Sequence, residues 1–243
     1  MGKRNTLLLL TICVYIFCGF NLSSKVGDQI KSPDYWVWAG VDLRLISEVV
    51  HSTSLYLHQG HFDVSKGKVR FRKLGLFPHP LENSIYLVYR IKGGLPESNQ
   101  ILEVFQRHVL SWERQGVIVK GIQLDFDSPT SKLLEYGNFL ENLRGQIPSQ
   151  YQLSITGLGD WALNGDSASL KKMSQSVDEI VFQLYQGRSH FSNIDGYVTA
   201  LSRLKIPFKI GLLYNQEGED IEEKLKNIPS YTGSIIFVQN WLL

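Results

Sequence analysis

Short apolar runs alternate with longer amphipathic stretches from Tyr35 to the end of the chain. This alternation predicts parallel βαβ units. The predicted strands are Tyr35–Ala39, Ser54–His58, Ser84–Ile91, Val119–Asp127, Gln152–Thr156, Glu179–Tyr185, Phe208–Leu213 and Ser234–Gln239, and the predicted helices are Leu43–His51, Ser98–Gln115, Pro129–Gln146, Ser167–Ser174, Asn193–Leu204 and Asp220–Lys226. Eight such strands are the number that closes a (β/α)8 barrel.

Two irregularities separate this pattern from an ideal barrel. Val64 to Pro80 is loop-like, with an extra strand at Lys68–Phe71, where the second helix is expected. The sequence also ends at Leu243, just after the eighth strand, so the last helix is missing. The pattern therefore predicts an α/β fold, a short TIM-like barrel that is incomplete at its C-terminal end. An open, doubly wound sheet is the alternative.

The N-terminal segment has the charge and hydrophobicity of an export signal. Lys3 and Arg4 precede an apolar run from Leu7 to Phe20. About 14 residues are too few to span a hydrocarbon core of ~30 Å comfortably as a helix. Residues 1–24 are therefore predicted to be a signal peptide or an N-terminal membrane anchor, 25–34 a linker and 35–243 a single barrel domain. The predicted location is extracytoplasmic, periplasmic or secreted.

Composition and charge exclude several classes of function. The chain has 25 basic and 23 acidic residues, and no basic stripe remains once the N-terminal segment is set aside. Nucleic acid is therefore a poor candidate partner, since its binding depends on phosphate neutralisation. Both cysteines, Cys13 and Cys18, lie in the N-terminal segment. No phosphate- or dinucleotide-binding loop occurs, and no cofactor is predicted.

The segment from Lys120 to Asp127 carries the strongest chemical signal. Side chains alternate along a strand, so Gln123, Asp125 and Asp127 share the face that points into the barrel. Both aspartates fall at the C-terminal end of the strand, where barrel enzymes place their catalytic groups. Two close carboxylates, one protonated and one ionised, are what cleavage of a glycosidic bond requires. Ser128-Pro129 predicts an N-cap followed by proline at the first position of the next helix. The structural alternative for the aspartates is that Asp127 caps this helix and Asp125 hydrogen-bonds to neighbouring loops.

Polar and aromatic side chains at the ends of other strands are predicted to join this site. Arg90 lies near the end of the third strand. If it is buried there, it needs an acidic partner, and Asp125 is the nearest candidate. A barrel interior is normally apolar, so this much polarity at one end indicates a ligand site. The predicted substrate-binding residues are Gln123, Gln183, Arg90, Thr156, Trp161, Trp38 and Gln239, with Tyr185 beside the aspartates.

Histidines at the end of the second strand could also bind a metal ion. His58, His61 and Asp63 are nitrogen and oxygen donors of the type that catalytic zinc takes. Loop histidines more often face solvent, so no metal is assigned.

Three segments of the sequence resemble a known bacterial family. They are Gly121-Ile-Gln-Leu-Asp-Phe-Asp-Ser-Pro-Thr-Ser131, Leu153-Ser-Ile-Thr-Gly-Leu-Gly-Asp-Trp161 and Asp178-Glu-Ile-Val-Phe-Gln-Leu-Tyr-Gln-Gly187. They are similar to the domain of unknown function 3142, over about Tyr35 to Phe237. That family has no assigned reaction, so the resemblance implies a fold more than a function.

A remoter resemblance is to the chitinase-type glycoside hydrolases, whose fourth strand carries Asp-Gly-x-Asp-x-Asp-x-Glu. Lys120 and Gln123 replace the first two acids of that motif, Asp125 matches the third, and Asp127 stands in place of the acidic Glu. Tyr185 falls where that family has a substrate-positioning tyrosine. Aspartate is one methylene shorter than glutamate, which leaves a barrel that only binds its ligand as an alternative.

These observations support three hypotheses. The first is an exported hydrolase of a polysaccharide or cell-wall glycan, with Asp127 as general acid/base, Asp125 as its electrostatic partner, and Tyr185 and Gln183 positioning the substrate. The second is a non-catalytic carbohydrate-binding or scaffold barrel of the cell envelope. The third is a metal-dependent hydrolase that uses His58, His61 and Asp63. A membrane partner is expected only through an uncleaved N-terminal segment.

Overall fold

The computed structural model describes residues 33–46, 52–186, 189–190, 194–215 and 219–239. The predicted signal or anchor segment, residues 1–24, lies outside the described residues. Residues 25–32 of the predicted linker also lie outside them. Asp34 already belongs to the first strand. Each helix in the described part of the chain falls short of the length and hydrophobicity that crossing a membrane requires.

Eight parallel strands close into a barrel, which confirms the predicted fold class. With three strands outside the barrel (β3, β8 and β9), the strands of the described residues are β1 (Asp34–Val37), β2 (Ser54–Ser65), β3 (Lys68–Lys73), β4 (Ser84–Lys92), β5 (Val119–Asp125), β6 (Gln152–Leu158), β7 (Glu179–Gln183), β8 (Tyr185–Gln186), β9 (Ser189–His190), β10 (Phe208–Leu213) and β11 (Tyr231–Val238). Around the barrel the order is β1-β2-β4-β5-β6-β7-β10-β11, and β11 pairs with β1 to close it. This closure excludes the open sheet.

Helices follow most of the strands on the outside. They are α1 (Ser98–Glu113), α2 (Leu133–Arg144), α3 (Gly159–Asn164), α4 (Ser167–Ser176), α5 (Ile194–Ser202) and α6 (Glu219–Leu225), with 3-10 turns at Leu43–Leu45 and Thr130–Lys132. The sequence missed α3, a short helix that follows β6 directly without a loop. Of the predicted helix Leu43–His51 the structure shows the first turn, and residues 47–51 lie outside the described residues.

The predicted cap at Ser128-Pro129 is wrong. A 3-10 turn follows Pro129, and α2 starts only at Leu133. The Ser128 carbonyl instead accepts a hydrogen bond from Nε1 of Trp161, at 2.9 Å. The loop between β5 and α2 is therefore held by a tertiary contact rather than by a local cap.

A β-hairpin replaces the second helix of the barrel. β3 pairs with β2 in antiparallel fashion, as far as Ser65 opposite Lys68. Lys66 and Gly67 form the two-residue turn, both with positive φ (50° and 73°), which matches the twist of a tight hairpin. The extra strand predicted at Lys68–Phe71 is confirmed and extends two residues further.

Apolar side chains fill both sides of the barrel wall. The larger core lies between the strands and the helices. A second cluster fills the lumen with Trp36, Tyr56, Tyr86, Val88, Val181, Leu213, Ile235 and Phe237. Tyr56 stacks on Tyr86 with ring centroids 4.4 Å apart. The lumen is therefore a packed core, and a ligand has access only to its ends.

A buried ionic network lies in the lumen below these rings, at the N-terminal end of the strands. Lys209 Nζ lies 2.8 Å from Asp34 Oδ2 and 2.9 Å from Glu179 Oε2. The Tyr56 hydroxyl donates to Glu179 at 2.7 Å. Strands β1, β2, β7 and β10 are thereby tied together through the lumen. This network was not predicted from the sequence.

Candidate functional site at the mouth of the barrel

One guanidinium joins the two aspartates of the predicted site. The register of β4 and β5 places Arg90 opposite Asp125. Arg90 Nη1 lies 3.1 Å from Asp125 Oδ2, and Arg90 Nη2 lies 2.7 Å from Asp127 Oδ2. The predicted pairing of Arg90 with Asp125 is present, and it extends to Asp127, which lies in the loop beyond the end of β5.

The two carboxylates have different environments. The Asp125 side chain is 2% exposed, whereas that of Asp127 is 46% exposed. Thr156 Oγ1 donates to Asp125 Oδ1 at 2.8 Å, so this predicted substrate-binding threonine is already engaged. Burial raises the pKa of Asp125, while the Arg90 charge opposes that rise. Asp125 therefore takes up a proton more readily than an ordinary aspartate does.

Tyr185 and Gln183 lie at the same end of the barrel. Burial raises the pKa of Tyr185 well above 10, and the nearby charge of Asp125 adds to this effect. The phenol therefore stays protonated, and its ring packs edge-on against Phe237, with centroids 5.4 Å apart. Gln183 ends β7 and is partly exposed, and Gln239 follows β11 and is also partly exposed. The roles predicted for these residues stay predictions.

Two predicted substrate-binding residues do not reach a ligand surface. Gln123 is fully buried, accepts from Trp36 Nε1 at 2.6 Å and donates to Ser154 Oγ at 2.9 Å. Trp161 is also fully buried and packs against Tyr136 outside the lumen, with centroids 6.1 Å apart. The prediction that both contact a ligand is therefore corrected. Trp161 follows a strand end, as predicted, but it lies on α3 and packs towards α2.

An aromatic cluster that was not predicted from the sequence flanks Arg90. Trp38, His58 and His61 pack together. The centroid of the His58 ring lies 4.8 Å from that of Trp38 and 4.8 Å from that of His61. The Arg90 guanidinium carbon lies 5.6 Å from the centre of the Trp38 ring. Trp38 was a predicted ligand residue, and it lies partly exposed at the mouth.

A bulge in β2 places both histidines at this cluster. The pairing of β2 with β4 shifts between His58 and Gly60, so Gln59 is an extra residue. His58 then pairs with Val88 and His61 with Arg90, two residues whose side chains point into the barrel. Strict alternation would have sent the two histidines to opposite faces. Gln59 Oε1 instead accepts from Trp112 Nε1 at 3.2 Å, on the outer face.

The metal hypothesis for these histidines gains no support from their geometry. Across the described residues, no group of three or more His, Cys, Asp or Glu side chains is arranged to hold a metal ion. Arg72 explains this at His61 and Asp63, because its Nη2 lies 3.3 Å from His61 Nδ1 and 3.6 Å from Asp63 Oδ2. The Arg72 guanidinium therefore lies against two of the three proposed donors.

A cleft of about 430 Å³ opens beside the Arg90–Asp127 ion pair. It lies between the loop after β4 and the loop after β5. Its lining includes Arg90, Lys92, Gly93, Gly94, Asp127, Ser128, Lys132, Glu135 and Tyr136. The volume lies within the range of small-ligand sites. The exposed carboxylate of Asp127 is therefore accessible from this side.

The neutral state of His58 makes the stability of the fold depend on pH. Burial lowers the pKa of His58 to about 3, whereas the unfolded chain takes up this proton near 6.5. The stability that the neutral His58 ring contributes is fully present above pH 6.5 and is lost as the pH falls towards 3. Between pH 7 and pH 4.5 we expect His58 to account for a loss of about 2 kcal/mol in unfolding free energy.

The His58→Asn variant isolates this effect in urea unfolding at the two pH values. Asparagine keeps an acceptor for the Ala39 N–H, which now donates to His58 Nδ1, but it has no proton to gain. The difference between the two pH values should shrink by the stated amount in the variant. An equal difference in both proteins would mean that His58 does not titrate as described.

Residues 82–193 match the family model described as Domain of unknown function (DUF3142). The predicted resemblance to DUF3142 is thereby confirmed over this range, which is shorter than the Tyr35–Phe237 expected from the sequence. The match includes β4, β5, β6 and β7, and with them Arg90, both aspartates and Tyr185. No curated protein matches the chain.

Three solved structures are similar to the barrel. The chitinase domain of the spore coat protein CotE from Clostridium difficile has a TM-score of 0.47 and 14% identity, covering 78% of this chain and 67% of that one. The spore cortex-lytic enzyme SleL of Bacillus cereus has a TM-score of 0.43 and 17% identity, covering 75% of this chain and 51% of that one, about half its length. The xylanase-A-amylase inhibitor protein XAIP-III has a TM-score of 0.54 and 12% identity, covering 86% and 94%. The last of these shares the fold.

Proposed function

We propose that this protein binds a glycan at the mouth of its barrel without hydrolysing it, and that residues 1–24 direct it out of the cytoplasm. One observation supports binding over hydrolysis: the Arg90 guanidinium bonds to both aspartates. A general acid must be protonated and must reach the glycosidic oxygen. The Asp125 carboxylate is already bonded to Arg90 and Thr156, and the accessible Asp127 is held by the same guanidinium.

The same residues suit recognition of a sugar. The exposed edge of Asp127 accepts hydrogen bonds from hydroxyl groups, and Arg90 donates them, so the pair can contact neighbouring hydroxyls of one ring. The partly exposed Trp38 offers an aromatic face beside Arg90, of the kind that packs against apolar ring faces. The cleft next to Asp127 continues this surface. The similarity of the Asp125 segment to the chitinase-type motif supports the same ligand class.

Binding of soluble oligosaccharides to the full chain tests this function. We expect a panel of neutral and acidic glycans, screened on an array and followed by calorimetry, to contain at least one specific ligand. The Asp127→Asn variant should weaken its binding several-fold, because an amide accepts fewer hydrogen bonds than a carboxylate. Glu141→Gln is the matched control, since Glu141 pairs with Lys172 on the outer helices. Absence of any ligand, or equal losses in both variants, would contradict the proposal.

Hydrolysis is the second candidate, with Asp127 as general acid/base. Its position beside an open cleft at the C-terminal end of β5 is the observation that favours it. Release of new reducing ends from the same panel separates the two functions. Turnover by the unmodified chain that disappears in Asp127→Asn would establish hydrolysis and replace the binding function.

A further inference from the structure

Three hydrogen-bond donors in the aromatic cluster have no partner. Nε1 of Trp38, Nε2 of His58 and Nε2 of His61 are buried and unbonded, and in the described part of the chain the Tyr136 hydroxyl is the one other buried side-chain atom in this state. Proteins pair nearly all such atoms with protein, water or ligand. We propose that these three N–H groups bind the oxyanion of an acidic sugar residue. The inference rests on the glycan-binding function proposed above and specifies its ligand.

The hydrogen positions follow from the other nitrogen of each ring. His58 Nδ1 accepts from the backbone N–H of Ala39 at 3.4 Å, so the proton of the neutral ring is on Nε2. His61 Nδ1 faces Arg72 Nη2 at 3.3 Å, and because a guanidinium only donates, Nδ1 accepts here as well. Both rings therefore present Nε2–H. The indole of Trp38 can only donate.

The histidines are deeply placed and uncharged. His58 is 2% exposed and His61 is 7% exposed. Burial lowers the pKa of His58 to about 3 and that of His61 to about 4, so neither ring is a cation near neutral pH. The cluster is thus built as a set of neutral donors rather than as an ion-pairing site.

The surrounding charges favour a negative ligand. Arg90 and Lys92 lower the pKa of both histidines, and Arg72 also lowers that of His61, whereas Asp63 raises it. The cationic field of these side chains dominates at the two rings. Asp125 and Asp127 are each bonded to one terminal nitrogen of the Arg90 guanidinium. A carboxylate or sulfate accepts from three donors without needing an acceptor in return, whereas a sugar hydroxyl would still have its own proton to place.

Matched oligosaccharides test the inference. The probes are a tetrasaccharide of galacturonic acid, its fully methyl-esterified neutral form, and a sulfated galactose tetrasaccharide with its unsulfated form. Calorimetry on the full chain should show at least one acidic probe binding about tenfold more tightly than its neutral counterpart, as expected when a charged acceptor meets several donors. The pair of probes in which the acidic form binds more tightly shows whether the bound oxyanion is a carboxylate or a sulfate.

The Trp38→Phe variant removes one N–H and keeps an aromatic ring. We expect the ratio of acidic to neutral affinity to fall at least severalfold in this variant, and likewise in His61→Phe. Trp161→Phe is the matched control, because its indole N–H bonds to the Ser128 carbonyl outside the lumen. Thermal unfolding of each variant checks that it is folded.

The outcomes separate this inference from the function on which it rests. If no probe and no glycan of the wider panel binds, both are wrong. If acidic and neutral forms bind equally, or if Trp38→Phe leaves their affinity ratio at its original value, the oxyanion site is wrong and the glycan-binding function stands.

Discussion

Replacing Lys209 with methionine is expected to lower the free energy of unfolding by about 4 kcal/mol. The ammonium is the shared partner of two lumen carboxylates, and the side chains of Lys209, Asp34 and Glu179 are 12%, 7% and 14% exposed. Methionine fills similar space but leaves both acids without a cation in a region of low dielectric constant. Burial lowers the pKa of Lys209, but the two carboxylates outweigh it and the net shift is upward.

Urea unfolding at neutral pH measures this loss. The matched control is Lys224→Met, because Lys224 pairs with Asp195 where the two side chains are 46% and 83% exposed, and an exposed pair contributes less than about 1 kcal/mol. Adding Glu179→Gln to Lys209→Met should recover part of the stability by removing one unpaired charge. Equal effects of the Lys209 and Lys224 variants would contradict the buried network.

Replacing Arg90 with methionine is expected to lower the free energy of unfolding by about 3 kcal/mol at pH 7. The variant leaves the buried Asp125 carboxylate with the Thr156 hydroxyl as its remaining partner. The loss is smaller than for Lys209 because Arg90 is 27% exposed and because Asp125 can take up a proton instead.

The pH dependence of this loss distinguishes it from a packing defect. Burial already raises the pKa of Asp125, and Arg90 is the charge that opposes the rise, so the variant raises it further. A carboxyl whose pKa is higher in the folded state loses stability as the pH increases. The deficit of Arg90→Met should therefore be smallest near pH 4 and grow towards pH 7.

A double variant and an exposed pair complete the test of Arg90. Asp125→Asn should restore much of the stability in the Arg90→Met background, because the amide needs no counter-charge and still accepts from Thr156. Arg44→Met, which breaks an exposed pair with Asp42, should produce no resolvable change. A double variant no more stable than Arg90→Met alone would rule out an unpaired carboxylate as the cause.

The barrel could be predicted because its signal is distributed along the chain. Each of the eight strands carries its own apolar run, and an error in one leaves the count recognisable. The hairpin at Lys66–Gly67 was visible as a break in the helix pattern. The short helix α3 was not, since six residues directly after β6 have no periodicity of their own.

The candidate site was predicted only where alternation holds. Arg90 and Asp125 lie on regular strands, and their pairing follows from neighbouring strands in a parallel barrel. The cluster of His58 and His61 depends on the bulge at Gln59, which is fixed by packing against Trp112 and cannot be seen in the pattern of hydrophobic residues.

Burial separates the predicted site residues that have an accessible surface from those that do not. Gln123 was correctly assigned to the inner face of β5, but that face is filled by Trp36 and Ser154 at this depth. Trp161 has the residue type of a sugar-stacking group, yet its ring completes the outer core near Tyr136. Residue type and strand position indicate the end of the barrel, and only the three-dimensional packing shows which side chains have a free surface.

The central claim is that a glycan occupies the mouth of the barrel at Arg90, Asp127 and Trp38. A crystal structure of the full chain with its tightest-binding oligosaccharide tests this claim most directly. The account predicts electron density for a sugar ring against Trp38, with hydroxyl groups hydrogen-bonded to Arg90 and Asp127. Sugar density that is confined to the outer helices, with an unoccupied mouth, would contradict it.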